Sequence, residues 1–313
     1  MKIVYMGTPE FACPCLQSLI DGRHEVAAVI TQPDKPSGRG KKLTPPPVKV
    51  LAQENNIPVF QPQSLKKGDD AKAIYDELLR IAPDVIVVAA YGKLLGENIL
   101  SLPRYGCINV HASLLPKYRG AAPIQWSVIN GEKKTGVTIM KMELGLDTGD
   151  MLKKAETEIG ENETASELHD RLKIMGAPLL EEVLEELENG TESPEKQNDS
   201  EHTYAPMLSR DMANIDFSKP AREVHNLIRG LSEWPCAQFY IGEKRIKAYR
   251  SELVAKHFDG VCGEIVDEKQ FIIRCGDGLA VKITELQQEG SKRMDTKAFL
   301  CGNSIKKGTS VGI

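Results

Sequence analysis

An asparagine and a histidine stand two residues apart in the stretch CINVHASLLPKYRG, at residues 107–120. A β-strand over residues 107–112 would place Asn109 and His111 on one face, because successive side chains of a strand alternate between its two faces. The apolar run then gives way to a loop that contains proline and glycine, so the pair lies near the carboxyl end of the strand. Ligands of open α/β sheets bind at that edge. The sequence therefore predicts two polar side chains directed together at a ligand-binding edge.

A second predicted strand, GVTIMKM at residues 136–142, is followed by a loop with three carboxylates, at Glu143, Asp147 and Asp150. If this strand neighbours the one that carries His111, one of these carboxylates can reach the imidazole and orient it. A lone polar residue at a strand end more often anchors a loop, but two such strand ends favour catalysis. No serine or cysteine nucleophile is evident among these residues. The set suits a reaction in which the substrate brings its own nucleophile and the enzyme stabilises an oxyanion and moves protons.

The first half of the chain alternates predicted strands with predicted helices, which is typical of a doubly wound α/β fold. The strand at residues 84–90 is apolar on both faces, as a parallel sheet covered by helices requires. Strands are predicted at 2–7, 24–31, 58–62, 84–90, 106–112 and 136–142, and helices at 11–20, 46–55, 71–81 and 123–130. A longer helix ends at Asn189 and begins at a capping box formed by Thr164 and Glu167.

The second half has a different pattern. Residues 190–206 are polar and without periodicity, which predicts a linker between domains. An amphipathic helix at 220–230 precedes several short strands separated by turns, which suggest a small barrel. We therefore expect a catalytic domain at 1–189, the linker, and a C-terminal domain at 207–313. A chain of 313 residues is long enough for two such cores.

Composition narrows the classes of protein. Hydrophobic content of 41% and charged content of 27% are those of a folded globular chain rather than a disordered or fibrous one. The apolar runs are far too short for a membrane span and no signal peptide is evident, so we expect a cytoplasmic protein. Seven scattered cysteines fit no metal-binding spacing, and no metal is predicted. Residues 206–313 carry 17 Lys and Arg against 14 Asp and Glu, whereas residues 1–205 carry 23 against 30.

Two segments, NVHASLLPKYRGAAPIQW and TGVTIMKMELGLDTGD, resemble the formyltransferase family that uses 10-formyltetrahydrofolate. MGTPEFA, TQPDKPSGRGKKLTPPPVK and IRGLSEWPCAQFY resemble the branch of that family whose acceptor is initiator methionyl-tRNA. The resemblance implies a Rossmann-like catalytic domain followed by an OB-like barrel that binds tRNA, and a monomer. It also implies that Asn109, His111 and Asp147 are catalytic. The segment that binds the folate would be Ser113, Leu114, Leu115 and Pro116.

The loop at residues 34–49 is strongly basic, with one acid against Lys35, Arg39, Lys41, Lys42 and Lys49. An ordinary charge run is a solvated surface, but this loop follows the second strand, at the same predicted edge as His111. The resemblance implies that it grips the acceptor arm of the tRNA. Arg39 would contact the acceptor stem, while Lys41 and Lys42 would neutralise phosphates.

The predicted reaction transfers the formyl group of 10-formyltetrahydrofolate to the α-amino group of initiator methionyl-tRNA, for translation initiation. One alternative is a formyltransferase that acts on an amino sugar attached to a nucleotide. A second is a noncatalytic RNA-binding protein with the same fold, against which the complete triad argues. A nicotinamide dehydrogenase is disfavoured because the chain has Gly7 but no G-x-G-x-x-G motif.

Overall fold

The structure is a computed structural model that describes residues 1–37 and 42–312. It divides into two compact units, each assembled from three stretches of chain. The first unit comprises Met1–Ala121, Gly136–Thr157 and His169–Ala205, and the second comprises Ala122–Thr135, Glu158–Leu168 and the chain from Pro206 onward.

The helices are α1 (Cys13–Asp21), α2 (Pro47–Glu54), α3 (Asp69–Ile81), α4 (Glu97–Leu100), α5 (Pro123–Ile129), α6 (Ala165–Asn189), α7 (Ala221–Gly230) and α8 (Thr296–Gly302). The strands up to residue 205 are β1 (Lys2–Gly7), β2 (Glu25–Ile30), β3 (Lys35–Ser37), β4 (Lys42–Thr44), β5 (Val59–Phe60), β6 (Val85–Ala89), β7 (Cys107–His111), β8 (Arg119–Gly120), β9 (Lys134–Lys141), β10 (Met151–Glu158) and β11 (Tyr204–Ala205). The later strands are β12 (Ala237–Ile241), β13 (Lys244–Val254), β14 (Ile265–Asp267), β15 (Ile272–Arg274), β16 (Ala280–Gln288) and β17 (Met294–Asp295). No helix in this described portion is long and apolar enough to cross a membrane.

The first unit contains a seven-stranded sheet of order β10-β9-β7-β6-β1-β2-β5, and the predicted doubly wound fold is confirmed. Strands β7, β6, β1, β2 and β5 run parallel to their neighbours. Every residue of β6 is buried, as expected for a strand with apolar residues on both faces. The parallel part of the sheet therefore supplies a rigid base for β7, which carries Asn109 and His111.

Strand β9 runs antiparallel to β7, so the sheet is mixed rather than wholly parallel. His111 pairs with Thr138 near the start of β9, and Ile108 pairs with Lys141 at its end. The loop after β9 consequently starts about three residues, or roughly 10 Å, away from His111 along β7. It must fold back to bring a carboxylate to the imidazole.

The capping box predicted before α6 is confirmed. The Thr164 backbone N–H donates to Glu167 Oε2 at 3.0 Å, and the Glu167 N–H donates to Thr164 Oγ1 at 3.3 Å. Burial alone would raise the pKa of Glu167, but hydrogen bonds from Arg250 and Thr164 outweigh it and hold the pKa at about 2. The carboxylate is thus charged where it caps the helix, next to unpaired backbone donors.

The second unit contains the predicted small barrel. Its strands are ordered β12-β13-β16-β15-β14. The terminal segment 308–312 closes the ring, since the Ile265 N–H donates to the Thr309 carbonyl and the Gly312 N–H donates to the Tyr240 carbonyl. Successive aromatic contacts fill the interior, with ring centroids 5.6–6.2 Å apart, among Phe217, Phe239, Phe271 and Phe299.

Glycine is required at position 136, where β9 passes closest to β10. A Cβ atom at Gly136 would lie 2.0 Å from the Ala155 carbonyl oxygen and 2.7 Å from Leu114 Cδ2. We therefore expect Gly136→Ala to lower the free energy of unfolding by about 1–3 kcal/mol, the usual cost of an overpacked site. Urea denaturation measures this change. Gly302→Ala is the control, because no atom lies within 4 Å of the added Cβ; equal stability of the two variants would contradict the expectation.

Candidate active site

Asn109 and His111 are both buried at the carboxyl end of β7, with exposed fractions of 9% and 5%. Strand alternation places them on the same face, as predicted. Within the described part of the chain, no residue hydrogen-bonds to the Asn109 side-chain amide. Because a buried amide needs partners, this side chain is available to a bound ligand.

The imidazole of His111 is fixed at one nitrogen and open at the other. Its Nε2 lies 2.9 Å from the carbonyl oxygen of Tyr118. A carbonyl can only accept, so Nε2 carries a hydrogen and donates it. The other nitrogen, Nδ1, lies 3.7 Å from Asp147 Oδ2. This distance exceeds a hydrogen bond, so Asp147 attracts a proton on Nδ1 without using up its capacity to donate.

Asp147 is the carboxylate, of the three in its loop, whose oxygen faces the imidazole. Its backbone is left-handed, with φ of +52°. The Gly120 N–H donates to Oδ2 at 2.9 Å, and Gln197 Nε2 donates to the carbonyl oxygens of both Asp147 and Gly149, each at 2.8 Å. The side chain and the backbone of Asp147 are therefore held separately.

Gln197 is itself held by Arg119, whose Nε donates to Gln197 Oε1 at 2.9 Å. Arg119 is only 2% exposed and also donates to Asp199 at 2.8 Å. Sequence reasoning missed these residues, because Gln197 and Asp199 lie in the polar segment predicted to be a linker. A buried arginine requires acceptors, but the sequence does not show that Arg119 is buried.

The predicted folate segment is tied to β9 by Thr138. The hydroxyl of Thr138 donates to the Ser113 carbonyl at 2.7 Å and accepts from the Leu115 N–H at 3.2 Å. Ser113 is fully buried and its hydroxyl donates to the Lys117 carbonyl at 2.6 Å. Leu115 is also buried, whereas Leu114 and Pro116 are half-buried. Leu114 and Pro116 are thus the two of these four side chains that a ligand could contact, and folate contact remains a prediction.

The described residues around this site offer no activated nucleophile. Burial raises the pKa of Cys107 to about 12, so its thiol stays protonated, and the Ser113 hydroxyl is engaged as a donor. No group of three His, Cys, Asp or Glu residues placed to hold a metal ion occurs among the residues described. The arrangement can polarise an oxygen and move a proton, as the sequence predicted.

Two predicted tRNA contacts, Arg39 and Lys41, lie outside the described residues. Lys42 is exposed at the start of β4, which pairs with β3. Lys49, counted among the loop cations, forms an ion pair with Asp34 at 2.8 Å. Its charge is therefore neutralised locally, and the loop presents fewer free cations than its composition implies.

Two family models match the chain, one described as "Formyl transferase" over residues 1–184 and one as "Formyl transferase, C-terminal domain" over residues 207–304. The methionyl-tRNA formyltransferase of Alkaliphilus oremlandii is 51% identical, and that of Clostridioides difficile is 48% identical; both alignments cover 100% of each chain.

Solved structures share the fold at lower identity. The sugar 3N-formyl transferase WlaRD aligns with a TM-score of 0.69 and 22% identity, over 93% of this chain and 99% of its own. The N-formyltransferase from Helicobacter canadensis also aligns with a TM-score of 0.69 and 22% identity, over 90% and 98%. From the full-length identity of about one half and the two matching models, the chain belongs to the formyl transferase family, on its methionyl-tRNA formyltransferase branch.

Proposed function

We propose that this protein transfers the formyl group of 10-formyltetrahydrofolate to the α-amino group of initiator methionyl-tRNA, giving N-formylmethionyl-tRNA. The observation that carries the chemistry is the pairing of the unengaged Asn109 amide with the His111 Nδ1 that faces Asp147. This arrangement supplies hydrogen-bond donors but no enzyme nucleophile. It therefore fits transfer between two bound substrates, one of which is an amine.

The amine nitrogen attacks the formyl carbon, and negative charge develops on the formyl oxygen. The Asn109 amide and a protonated His111 Nδ1 are the two donors for this oxyanion. Nε2 keeps the ring oriented through the Tyr118 carbonyl, so protonation at Nδ1 needs no reorientation of the ring. Collapse of the intermediate breaks the bond to N10 and releases tetrahydrofolate.

Asp147 has two roles in this mechanism. Its negative charge favours the imidazolium form of His111, which is the better donor to the oxyanion. It is also the carboxylate available to take the proton that the attacking amine releases. Burial of both side chains strengthens their interaction, because little water screens it.

The acceptor follows from the relatives, which are named methionyl-tRNA formyltransferases over their whole length. We assign catalysis to residues 1–189 and tRNA binding to residues 207–313, in which basic residues exceed acidic ones by three. The loop that carries Arg39, Lys41 and Lys42 would contact the acceptor arm. The protein would act as a monomer in the cytoplasm, where aminoacylated tRNA is available.

Alanine substitution tests the oxyanion donors. Loss of one such donor usually lowers kcat by about 10²–10³, so Asn109→Ala and His111→Ala should each lose most turnover. The Kd for the folate should change little, because the interaction forms in the transition state. Single-turnover assays with methionyl-tRNA and calorimetry with 5-formyltetrahydrofolate measure the two quantities.

Near-normal turnover in both variants would remove the assignment. The same assay with the wild-type protein should be repeated with a nucleotide-linked amino sugar as acceptor. Formylation of the sugar but not of methionyl-tRNA would contradict the proposed function, whatever the variants show.

The basic loop has a separate test. Each phosphate contact removed should reduce the salt slope of tRNA binding by about one unit, so Lys41→Ala combined with Lys42→Ala should weaken binding and flatten its salt dependence. Arg39→Ala should lower kcat/KM for methionyl-tRNA without changing folate binding. Lys49→Ala is the matched control from the same segment, since its charge is already paired with Asp34. Unchanged tRNA kinetics in the Arg39, Lys41 and Lys42 variants would mean that the tRNA is held elsewhere.

A further inference from the structure

A cavity of about 480 Å³ lies in the first unit, bounded by the start of α3 and the segment between β6 and α4. Leu144, from the loop that carries Asp147, forms part of its wall. Leu144 is only three residues from Asp147 in the chain. The cavity therefore borders the catalytic loop, yet none of the catalytic or folate-segment residues assigned above lines it.

The apolar part of the wall is unusually exposed. Leu94 and Leu144 have exposed fractions of 52% and 66%, and Leu65, Leu95 and Tyr75 also line the cavity. Exposed leucines are ordinary when scattered, but here two of them flank one concavity. An apolar or aromatic group of a ligand would cover them.

The charged part of the wall has one sign. Lys66, Lys67 and Lys72 line the cavity, and no carboxylate is among its described lining residues. The nearby carboxylate of Asp70 accepts a hydrogen bond from the Gln63 backbone N–H at 2.8 Å, outside the cavity wall. The wall thus combines an apolar surface with three ammonium groups, which suits a ligand with an aromatic body and several carboxylates.

The donor of the proposed reaction has this chemistry. Its transferable formyl group is attached to N10, which also bears the benzoyl ring that carries the glutamate. The benzoylglutamate end must therefore extend from a point next to the reacting carbon, and a site for it must border the catalytic loop. Leu144 meets that requirement.

We propose that this cavity binds the benzoylglutamate end of the folate donor, with Leu94 and Leu144 against the ring. Lys66, Lys67 and Lys72 pair with the α- and γ-carboxylates of a glutamyl chain. This inference rests on the proposed function for the identity of the donor. It implies that the protein prefers folates with several γ-linked glutamates, because each added residue brings another carboxylate to the lysines.

Calorimetry with 5-formyltetrahydrofolate tests the site without an acceptor. Exposed ion pairs each contribute about two- to fivefold, so the pentaglutamate should bind roughly tenfold more tightly than the monoglutamate at low salt. The advantage should shrink as salt screens the charges. In the triple variant Lys66→Gln, Lys67→Gln, Lys72→Gln it should disappear, whereas the triple substitution by arginine should retain it.

A wild-type protein that binds both chain lengths equally would overturn the proposal, as would a glutamine variant that discriminates like the wild type. Leu144→Gln should weaken both ligands by a similar factor, because the ring is common to them. Formylation of methionyl-tRNA by the wild-type protein is measured separately with the monoglutamyl donor. Failure of that assay would remove the proposed function, whereas failure of chain-length discrimination alone would remove only this site.

Discussion

Two hydrogen-bonded anchors fix Asp147, and the geometry of the site depends on them. The loop after β9 folds back along β7, and at Asp147 its backbone is left-handed, a conformation that costs a residue with a side chain about 1 kcal/mol or more. Gly120 holds the carboxylate and Gln197 holds the carbonyl. These bonds offset the strain and place Oδ2 opposite His111. Without them, neither the imidazolium nor the oxyanion that it stabilises has a nearby counter-charge.

The same arrangement explains why a polar site lies inside a well-packed unit. Strand β7 is buried along its length, so Asn109 and His111 are positioned by the sheet rather than by a flexible loop. The adjoining loops are less regular, but Thr138, Arg119 and Gln197 tie them to the strands and to one another. Rigid placement matters because donors to an oxyanion are effective only if they are oriented before the charge develops.

The sequence predicted β7 and the pair it carries because a period of two and a loop boundary are local signals. It did not predict the direction of β9, since chain reversal depends on long-range packing. It also missed β10, whose sequence MLKKAETE alternates charged and small residues and lacks the apolar character of a strand. The role of Gln197 was hidden for a related reason: a polar segment without periodicity gives no sign of the buried arginine that holds it.

A double-mutant cycle between Gln197 and Asp147 tests the central claim that Gln197 acts by holding Asp147 against His111. The cycle requires kcat for Gln197→Ala, Asp147→Asn and the double variant, with thermal unfolding to confirm that each remains folded. The account predicts that Gln197→Ala lowers kcat by about ten- to a hundredfold in the wild-type background, equivalent to the loss of about 1.4–2.7 kcal/mol. It predicts little further loss once Asp147 is already substituted, because coupled residues are not additive. Fully additive losses would contradict it.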